Sequence, residues 1–172
     1  MTIYKNLVLV GMMGSGKTTI GAIIAKEIGL GFTDIDKEIE VQENTKITKI
    51  FHEKGEKYFR KVEEDISINK IKSQNNVISL GGGGFLNYKI RKEVLKNCIS
   101  FWLDWKDEEI IKRLIKNEKR PIVKNLSKKD IVLMIKNRSE KYKYAKFRIK
   151  CDGLSKYEIA NNIIKIFLNE KN

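Results

Sequence analysis

Short apolar runs alternate with longer amphipathic segments along the whole chain. The apolar runs predict five strands, at Leu7–Val10, Phe32–Ile35, Val77–Leu80, Ile99–Leu103 and Lys146–Cys151. The first segment between them repeats its apolar residues at helical spacing, at Ile20, Ile23, Ile24 and Ile28. Strands that alternate with helices form a parallel sheet covered on both faces. We therefore predict a three-layer α/β/α fold with a five-stranded parallel sheet, built as one domain over residues 1–172.

The remaining helices are predicted from the same spacing and from capping residues. The predicted helices cover Thr18–Ile28, Lys37–Asn44, Ile47–Ser73 with a break near Gly55, and Tyr88–Lys96, followed by one that begins at Asp107 and two capped by Ser127 and Ser155. The stretch from about 116 to 127 is basic and aperiodic, and it contains the only proline, Pro121. This composition suits a mobile lid that closes over phosphates.

A glycine-rich loop follows the first predicted strand. Gly11–Thr18 reads GMMGSGKT and matches the phosphate-binding pattern G-x-x-x-x-G-K-[ST] at every position. Its glycines turn backbone N–H groups toward a polyphosphate at the positive end of the next helix. Lys17 would reach the β- and γ-phosphates, and the Thr18 hydroxyl would ligate Mg²⁺. The alternative, a plain glycine turn before a helix, does not account for the full match, so we predict a nucleotide-binding protein.

Acidic residues follow the second and fourth predicted strands, at the edge where parallel sheets bind ligands. Asp34 and Asp36 are two residues apart, so both carboxylates can point to one side of an extended chain beside the phosphate loop. One could hold Mg²⁺ while the other accepts a hydrogen bond from an attacking hydroxyl. Alternatively, Asp36 only caps the helix that begins at Lys37. Asp104 follows an apolar run as a metal-binding aspartate would. A helix is predicted to begin at Asp107, directly after it, so a role at the start of that helix is favoured.

Charge and cysteine content narrow the function classes. The formal net charge is +13, yet the lysines are spread over nearly every segment, which favours a solvated surface over a nucleic-acid site. Cys98 and Cys151 are far apart and match no metal or redox spacing, so we expect buried, reduced thiols. No stretch of the sequence approaches the length of a membrane span. A cytoplasmic protein is therefore expected.

Arginine is scarce, because the chain has 29 lysines and only 6 arginines. Where lysine is the default cation, an arginine is more often placed for its rigid, bidentate fork. Arg138 extends the apolar face of a predicted helix, so its guanidinium points where a core residue is expected and requires an anion. Arg60 and Glu63 are three residues apart on a predicted helix, so their side chains are neighbours. They form either a surface ion pair or part of a binding site. Arg120 lies in the predicted lid, as a phosphate ligand or as a solvated loop residue.

A run of four glycines, Gly81–Gly84, follows the third predicted strand. Such a run either lets a ligand approach bare backbone or forms a flexible turn. With this run, six motifs occur in an order that resembles the shikimate kinase family over essentially the full chain. They are GMMGSGKT at Gly11–Thr18, DID at Asp34–Asp36, FRKVE at Phe59–Glu63, GGG at Gly81–Gly83, RP at Arg120–Pro121 and R-x-x-x-Y at Arg138–Tyr142.

The resemblance implies the nucleoside-monophosphate-kinase-like P-loop fold, with a helical substrate-binding insertion over about 34–73 and a lid. It implies ATP-dependent phosphorylation of the 3-hydroxyl of shikimate, in the chorismate and aromatic amino-acid pathway, with Mg²⁺ as cofactor. Four features depart from the family. Leu80 stands where many relatives have threonine, and a fourth glycine, Gly84, follows the triplet. Only two residues separate Tyr142 from Ala145, where the family usually has three, and the adenine-side loop near Asp152–Leu154 lacks the proline seen in some relatives.

The resemblance also implies roles for individual residues. ATP binding is assigned to Gly14, Ser15, Gly16, Lys17, Thr18, Thr19, Arg113 and Arg120, with Arg113 near the adenine and Arg120 in the lid. Substrate binding is assigned to Asp36, Arg60, Glu63, Gly81, Gly82, Gly83 and Arg138, and the two arginines among them would grip the shikimate carboxylate. Lys17, Asp36 and Arg120 would be catalytic. The metal would be held by Thr18 and, through water, by Asp34.

We thus expect ATP and shikimate as partners, no nucleic acid or membrane, and a monomer. A related small-molecule kinase, such as a gluconate kinase, is the nearest alternative, although the DID, FRKVE and GGG motifs argue against it. A nucleotide-dependent regulator that binds nucleic acid is the alternative from another class. That function would call for a clustered basic stripe or an added DNA-reading motif, and the sequence contains neither.

Overall fold

The computed structural model describes residues 5–115 and 126–170. Its strands are β1 (Asn6–Val10), β2 (Gly31–Asp34), β3 (Asn76–Ser79), β4 (Cys98–Asp104) and β5 (Phe147–Lys150). Its helices are α1 (Lys17–Ile28), α2 (Ile35–Gln42), α3 (Ile47–Ile71), α4 (Tyr88–Asn97), α5 (Asp107–Ile115), α6 (Lys128–Tyr142) and α7 (Lys156–Asn169), with a short 3-10 helix at Gly84–Leu86. The predicted alternation of strands and helices is confirmed, and most element ends differ from the prediction by only one or two residues.

The five strands form one parallel sheet in the order β2-β3-β1-β4-β5. β1 lies at its centre, where Leu7 is opposite Val77 of β3 and Ile99 of β4. Since all strands run the same way, the loops that follow β1, β2 and β3 emerge together at the carboxyl edge. The predicted sheet is confirmed, and its topology brings the phosphate loop, Asp34 and the glycine run to one edge.

The core has two layers because side chains alternate across each strand. Leu7 and Leu9 of β1 face the layer formed with α1 and α7, and Val8 and Val10 face the opposite layer. The first layer contains Ile20, Ile24, Ile159, Ile163 and Phe167. The second contains apolar residues of α2, α3, α4, α5 and α6, among them Ile39, Ile66, Ile90, Ile110 and Ile135. Helices therefore cover both faces of the sheet, as the three-layer prediction requires.

The start of α2 corrects two expectations about the acidic pair. β2 ends at Asp34 and α2 begins at Ile35, so Asp34 and Asp36 do not lie on one extended segment. Asp34 is itself the N-cap of α2, because its Oδ1 accepts a hydrogen bond from the Lys37 N–H at 3.3 Å. Asp36 lies inside the first turn of the helix. The alternative that Asp36 only caps the helix is therefore wrong.

The long helix α3 contains the predicted break, since Gly55 has φ 77° and ψ 170°. This positive φ is readily adopted by glycine. The capping boxes predicted at Ser127 and Ser155 are both present, with Asp130 and Glu158 as their acidic partners. The predicted boundaries of the substrate-binding insertion remain a prediction, and most of the predicted lid lies outside the described residues.

The two cysteines match their prediction. Cys98 and Cys151 are both buried free thiols, and burial raises the pKa of each to about 12. Thiols with such a pKa are poor nucleophiles at neutral pH. In the part of the chain that the structure describes, no helix combines the length and apolar character needed to cross a membrane.

Candidate active site

The phosphate loop connects β1 to α1 in the predicted order of strand, loop and helix. Gly11 has φ 143°, and a Cβ at this position would lie only 2.9 Å from the Leu103 carbonyl oxygen. A larger residue is therefore excluded by both conformation and space. The loop is closed by the side chain of Lys17, whose Nζ donates to the carbonyl oxygens of Gly11 at 2.9 Å and Met12 at 2.8 Å. The Lys17 ammonium is thus held over the loop, where a polyphosphate would bind.

Thr18 and Asp34 bring two oxygen ligands to the edge of the same loop. The Thr18 hydroxyl donates to Asp34 Oδ2 at 2.5 Å, and Asp34 is buried. Hydroxyl and carboxylate oxygens are ligands that Mg²⁺ accepts, and this cation usually completes its shell with water and substrate phosphates. Two protein oxygens beside a phosphate loop therefore fit a Mg²⁺ site.

A cavity of about 180 Å³ lies between the phosphate loop and the ends of β2 and β3. Its lining includes Lys17, Thr18, Asp34, Asp36 and Gly82. The cavity therefore places a cation, two acidic residues and a glycine backbone around one space. This is the arrangement that the sequence predicted for the carboxyl edge, although Asp36 reaches it from a helix and not from an extended strand. Ser79, at the end of β3, also lines the cavity and was not predicted from the sequence.

Arg60 and Glu63 form a partly buried ion pair beside this cavity. Arg60 Nη1 donates to Glu63 Oε2 at 2.7 Å, while Nε and Nη2 of the same guanidinium donate to Glu56 Oε1 at 3.1 and 3.0 Å. Glu63 is only 1% exposed, so the alternative of a plain surface ion pair is wrong. Glu56, one turn before Arg60, was not singled out in the sequence. Its spacing of four residues from Arg60 is a helical ion-pair signal that could have identified it.

Burial raises the pKa of the Glu63 carboxyl, while the positive charge of Arg60 acts in the opposite direction. The negative charge of Asp36 adds to the increase. Glu63 Oε1 is buried and accepts no hydrogen bond from any residue in the described ranges. This oxygen lies against the backbone of the glycine turn, where a Cβ added at Gly81 would be 2.6 Å from it.

The glycine run packs directly against two acidic side chains and two arginines. A Cβ at Gly81 would lie 2.6 Å from Glu63 Oε1 and 2.7 Å from Asp36 Oδ1. At Gly82 it would lie 3.0 Å from the Met13 backbone nitrogen and 3.5 Å from Arg138 Nη1, and at Gly83 it would lie 2.5 Å from Arg60 Nη1. The bare backbone of this turn thus lets both acids and both arginines approach the turn closely. The alternative of a merely flexible turn does not account for this packing.

Arg138 occupies the core-facing position that the sequence predicted. It is 8% exposed, on the same face of α6 as Ile131 and Ile135. Within residues 5–115 and 126–170, Arg138 Nη1 is a buried donor that has no hydrogen-bond acceptor. A buried guanidinium with an unused donor is costly unless an anion completes its contacts.

Tyr142 fixes the glycine turn to α6 and to the phosphate loop. Its hydroxyl donates to the Gly82 carbonyl oxygen at 2.5 Å and lies 3.8 Å from the Met12 sulfur. Burial raises the pKa of Tyr142 to about 12, against the opposing effect of Arg138. The sequence placed Tyr142 in a motif but assigned it no role, because the contact with Gly82 spans 60 residues.

Arg113 and Trp105 flank the phosphate loop on the side of α5. Arg113 Nη1 donates to the Gly14 carbonyl oxygen at 3.3 Å, and its guanidinium carbon lies 3.8 Å from the centroid of the Trp105 ring. Trp105 Nε1 in turn donates to the Ser15 carbonyl oxygen at 3.0 Å. Arg113 was predicted to lie on the ATP side, whereas Trp105 was not singled out in the sequence.

Two further residues from the sequence analysis fall elsewhere. Asp104 ends β4 and forms an ion pair with Arg148. Its Oδ2 accepts a hydrogen bond from Arg148 Nε at 2.8 Å and lies 2.7 Å from Arg148 Nη2. The Lys106 N–H that precedes α5 donates to the carboxylate of Asp152, so the helix-entry role expected for Asp104 stays a prediction. Arg120, the predicted lid arginine, lies outside the described residues.

A phosphate loop on the central strand of a parallel sheet, beside a glycine turn that packs against Arg60 and the buried Arg138, defines a P-loop kinase with a second cationic site. The profile of the shikimate kinase family matches residues 13–167. The chain therefore belongs to the shikimate kinase family, as its ordered motifs predicted.

Individual relatives are similar over nearly the full chain. A shikimate kinase of Persephonella marina is 39% identical over 160 residues, which cover 93% of this chain and 97% of that protein. A shikimate kinase of Caldicellulosiruptor bescii is 40% identical over 165 residues, with 95% and 96% coverage. The solved structure of shikimate kinase from Acinetobacter baumannii in complex with shikimate matches with a TM-score of 0.91 and 27% identity, covering 98% of this chain and 95% of that one. The predicted fold class is thereby confirmed.

Proposed function

We propose that this protein transfers the γ-phosphoryl group of ATP to the 3-hydroxyl of shikimate, giving shikimate 3-phosphate and ADP. The observation that carries this proposal is the buried Arg138 guanidinium with its unused Nη1 donor, beside Arg60 and next to the phosphate-loop cavity. It provides a second anion site within reach of the first. A small acceptor that carries a carboxylate and hydroxyl groups fits such a site.

The acceptor carboxylate would bind between Arg60 and Arg138. Arg60 is preorganised for this role, because Glu56 and Glu63 fix its guanidinium from two sides. Glu63 also faces Gly81, so it would order the turn, and the backbone of Gly81, Gly82 and Gly83 would contact the substrate. A bidentate arginine contact gives both binding energy and a defined orientation. The Acinetobacter baumannii relative was solved with shikimate bound, which supports the same acceptor for this chain.

Asp36 would bind and orient the acceptor hydroxyl. Its Oδ1 lies beside Gly81, and the residue lines the cavity shared with Lys17. A carboxylate in this position can accept the hydroxyl proton as the oxygen approaches the γ-phosphorus. Phosphoryl transfer depends mostly on alignment and on charge neutralisation, so placing the hydroxyl in line with the phosphate would supply a large part of the rate.

ATP would bind through the phosphate loop, with Gly14, Ser15, Gly16, Thr18 and Thr19 surrounding its phosphates. Lys17 would exchange its contacts with Gly11 and Met12 for the β- and γ-phosphates. Arg113 would contribute from the base side, and Arg120 from the lid.

Mg²⁺ is the cofactor that the oxygen ligands of Thr18 and Asp34 support. Thr18 would coordinate the ion directly and Asp34 would do so through water. The ion would supply positive charge that stabilises the phosphoryl group as it is transferred. We also propose that the protein is a cytoplasmic monomer. It binds no nucleic acid in this proposal, since its many lysines are spread over nearly every segment and are not clustered in one patch.

A coupled assay of ADP release tests this function directly. The enzyme with Mg²⁺ and ATP is offered shikimate, gluconate and nucleoside monophosphates in parallel. Rapid ADP release is expected only with shikimate, and mass spectrometry of the product should show one added phosphate. Turnover with gluconate but not with shikimate would favour the related sugar-acid kinase. A lack of turnover with every acceptor, together with tight binding of DNA or RNA, would favour the regulator instead.

A further inference from the structure

Trp105 joins two parts of the nucleotide side that are distant in sequence. It lies one residue beyond β4 and contacts the phosphate loop through its Nε1, which donates to the Ser15 carbonyl oxygen at 3.0 Å. The other contact is with α5, where the Arg113 guanidinium carbon is 3.8 Å from the ring centroid. Such a distance places the cation directly against the aromatic face, where the ring quadrupole attracts it.

Arg113 is held from three directions. Besides the Trp105 ring, its Nε donates to Glu109 Oε1 at 2.7 Å and its Nη1 to the Gly14 carbonyl oxygen at 3.3 Å. The side chain nevertheless remains 32% exposed. The guanidinium is therefore fixed in orientation while part of its surface is still accessible to a ligand.

Both residues line a cavity of about 220 Å³ that begins at the phosphate loop. Ser15, Gly16 and Thr19 line its loop side, and Trp105, Arg113 and Leu154 line its other walls. Gly16 and Thr19 also line the cavity that contains Lys17 and Asp36. The two cavities thus share walls, and a nucleotide whose phosphates occupy the loop can direct its base into the second one.

We propose that Trp105 is a positioning residue for the nucleotide. By stacking on one face of the Arg113 guanidinium, it holds that planar group ready for the purine base to stack on the accessible face. The resulting order of indole, guanidinium and base uses the flat, weakly hydrated character of arginine, which a lysine lacks. This inference rests on the proposed function, because it concerns the ATP half of the same site, and it assigns Trp105 a role in recognising the base.

A purely structural role for Trp105 makes a different prediction. If the ring only supported the phosphate loop through Ser15, its loss would weaken every polyphosphate ligand equally. If the ring positions Arg113 for the base, its removal should weaken the affinity only for ligands that carry a base. ADP and inorganic tripolyphosphate separate these cases, since both bear phosphates and only ADP bears adenine.

The test is calorimetric titration of the full chain with ADP and with tripolyphosphate, each with Mg²⁺. For Trp105→Leu we expect the ADP dissociation constant to rise about 10-fold, the scale of a lost stacking contact, while that of tripolyphosphate changes by less than about twofold. Trp105→Phe keeps an aromatic face, and its ADP affinity should stay within about threefold of wild type. Unchanged ADP affinity in Trp105→Leu, or an equal loss for both ligands, would overturn the proposal.

Fluorescence provides a second readout that does not depend on how well Trp105→Leu folds. The chain has two tryptophans, so Trp102→Phe leaves Trp105 as the only indole and Trp105→Phe leaves Trp102. ADP should change the emission of the Trp102→Phe protein and leave that of Trp105→Phe unaltered. A signal confined to the Trp102 indole would refute the proposal. Since ADP binding is measured without shikimate, a failure of the proposed acceptor would remain distinguishable from a failure here.

Discussion

Replacing Arg138 by lysine tests the anion site with its charge retained. Arg138 is 8% exposed, and no acceptor in the described part of the chain satisfies its Nη1. A lysine at this position offers a point charge in place of the fork, so at least one charge-assisted hydrogen bond to the substrate carboxylate is lost. Such a bond contributes about 1.5–3 kcal/mol. The shikimate dissociation constant should therefore rise about 10- to 150-fold.

The assay is calorimetric titration of Arg138→Lys with shikimate and, separately, with ADP and Mg²⁺. ADP affinity should stay within about twofold of wild type, because Arg138 borders the acceptor side of the glycine turn. Arg148→Lys is the matched control, since the Arg148 side chain is 56% exposed and pairs with Asp104. That control should change neither affinity by more than about twofold. Equal losses of shikimate and ADP affinity in Arg138→Lys would refute the carboxylate assignment.

Three further changes probe other parts of the site. Asp36→Asn should lower kcat at saturating substrates while leaving the ADP dissociation constant near wild type, and full activity would reject its role as the orienting carboxylate. Tyr142→Phe removes the donor to the buried Gly82 carbonyl and should lower the free energy of unfolding in urea by about 1–3 kcal/mol, whereas Tyr144→Phe at an exposed tyrosine should change it by less than about 0.5 kcal/mol. The folded protein raises the pKa of Glu63, so the folded state holds this proton more tightly than the unfolded chain does. The free energy of unfolding of wild type, relative to that of Glu63→Gln, should therefore fall as the pH rises from about 4.3, the ordinary glutamate pKa, through the pKa of the folded state. A wild-type advantage that grows with pH would contradict this cause.

The fold was largely predictable because its signals are local. Apolar runs and helical spacing identified every strand of the sheet, and Ser127 and Ser155 marked two helix starts that the structure confirms. The conformation of the phosphate loop was predictable because it is determined by the glycines and the lysine of the motif itself. Errors remained at element ends, such as the boundary between Asp34 and Ile35, because one capping hydrogen bond there decides between strand and helix.

The candidate site was predictable where a residue type was out of place in its local pattern. Arg138 was one such residue, since a cation on an apolar helix face requires an anion. Trp105 gave no comparable signal, because its hydrogen bond to Ser15 joins residues 90 positions apart and an aromatic residue after a strand is ordinary. The burial of Glu63 was likewise invisible in sequence, since it depends on how α3 packs against the glycine turn.

The central claim is that a second anion site, built from Arg60 and Arg138, selects the phosphoryl acceptor. The most direct measurement compares kcat/KM for shikimate with kcat/KM for its methyl ester, which keeps the hydroxyls and lacks the carboxylate charge. In wild type the ester should be about 100-fold or more poorer, because it leaves the buried Arg138 guanidinium without an anion. In Arg138→Lys the difference between the two acceptors should shrink. Equal kcat/KM values for shikimate and its ester in wild type would contradict the claim.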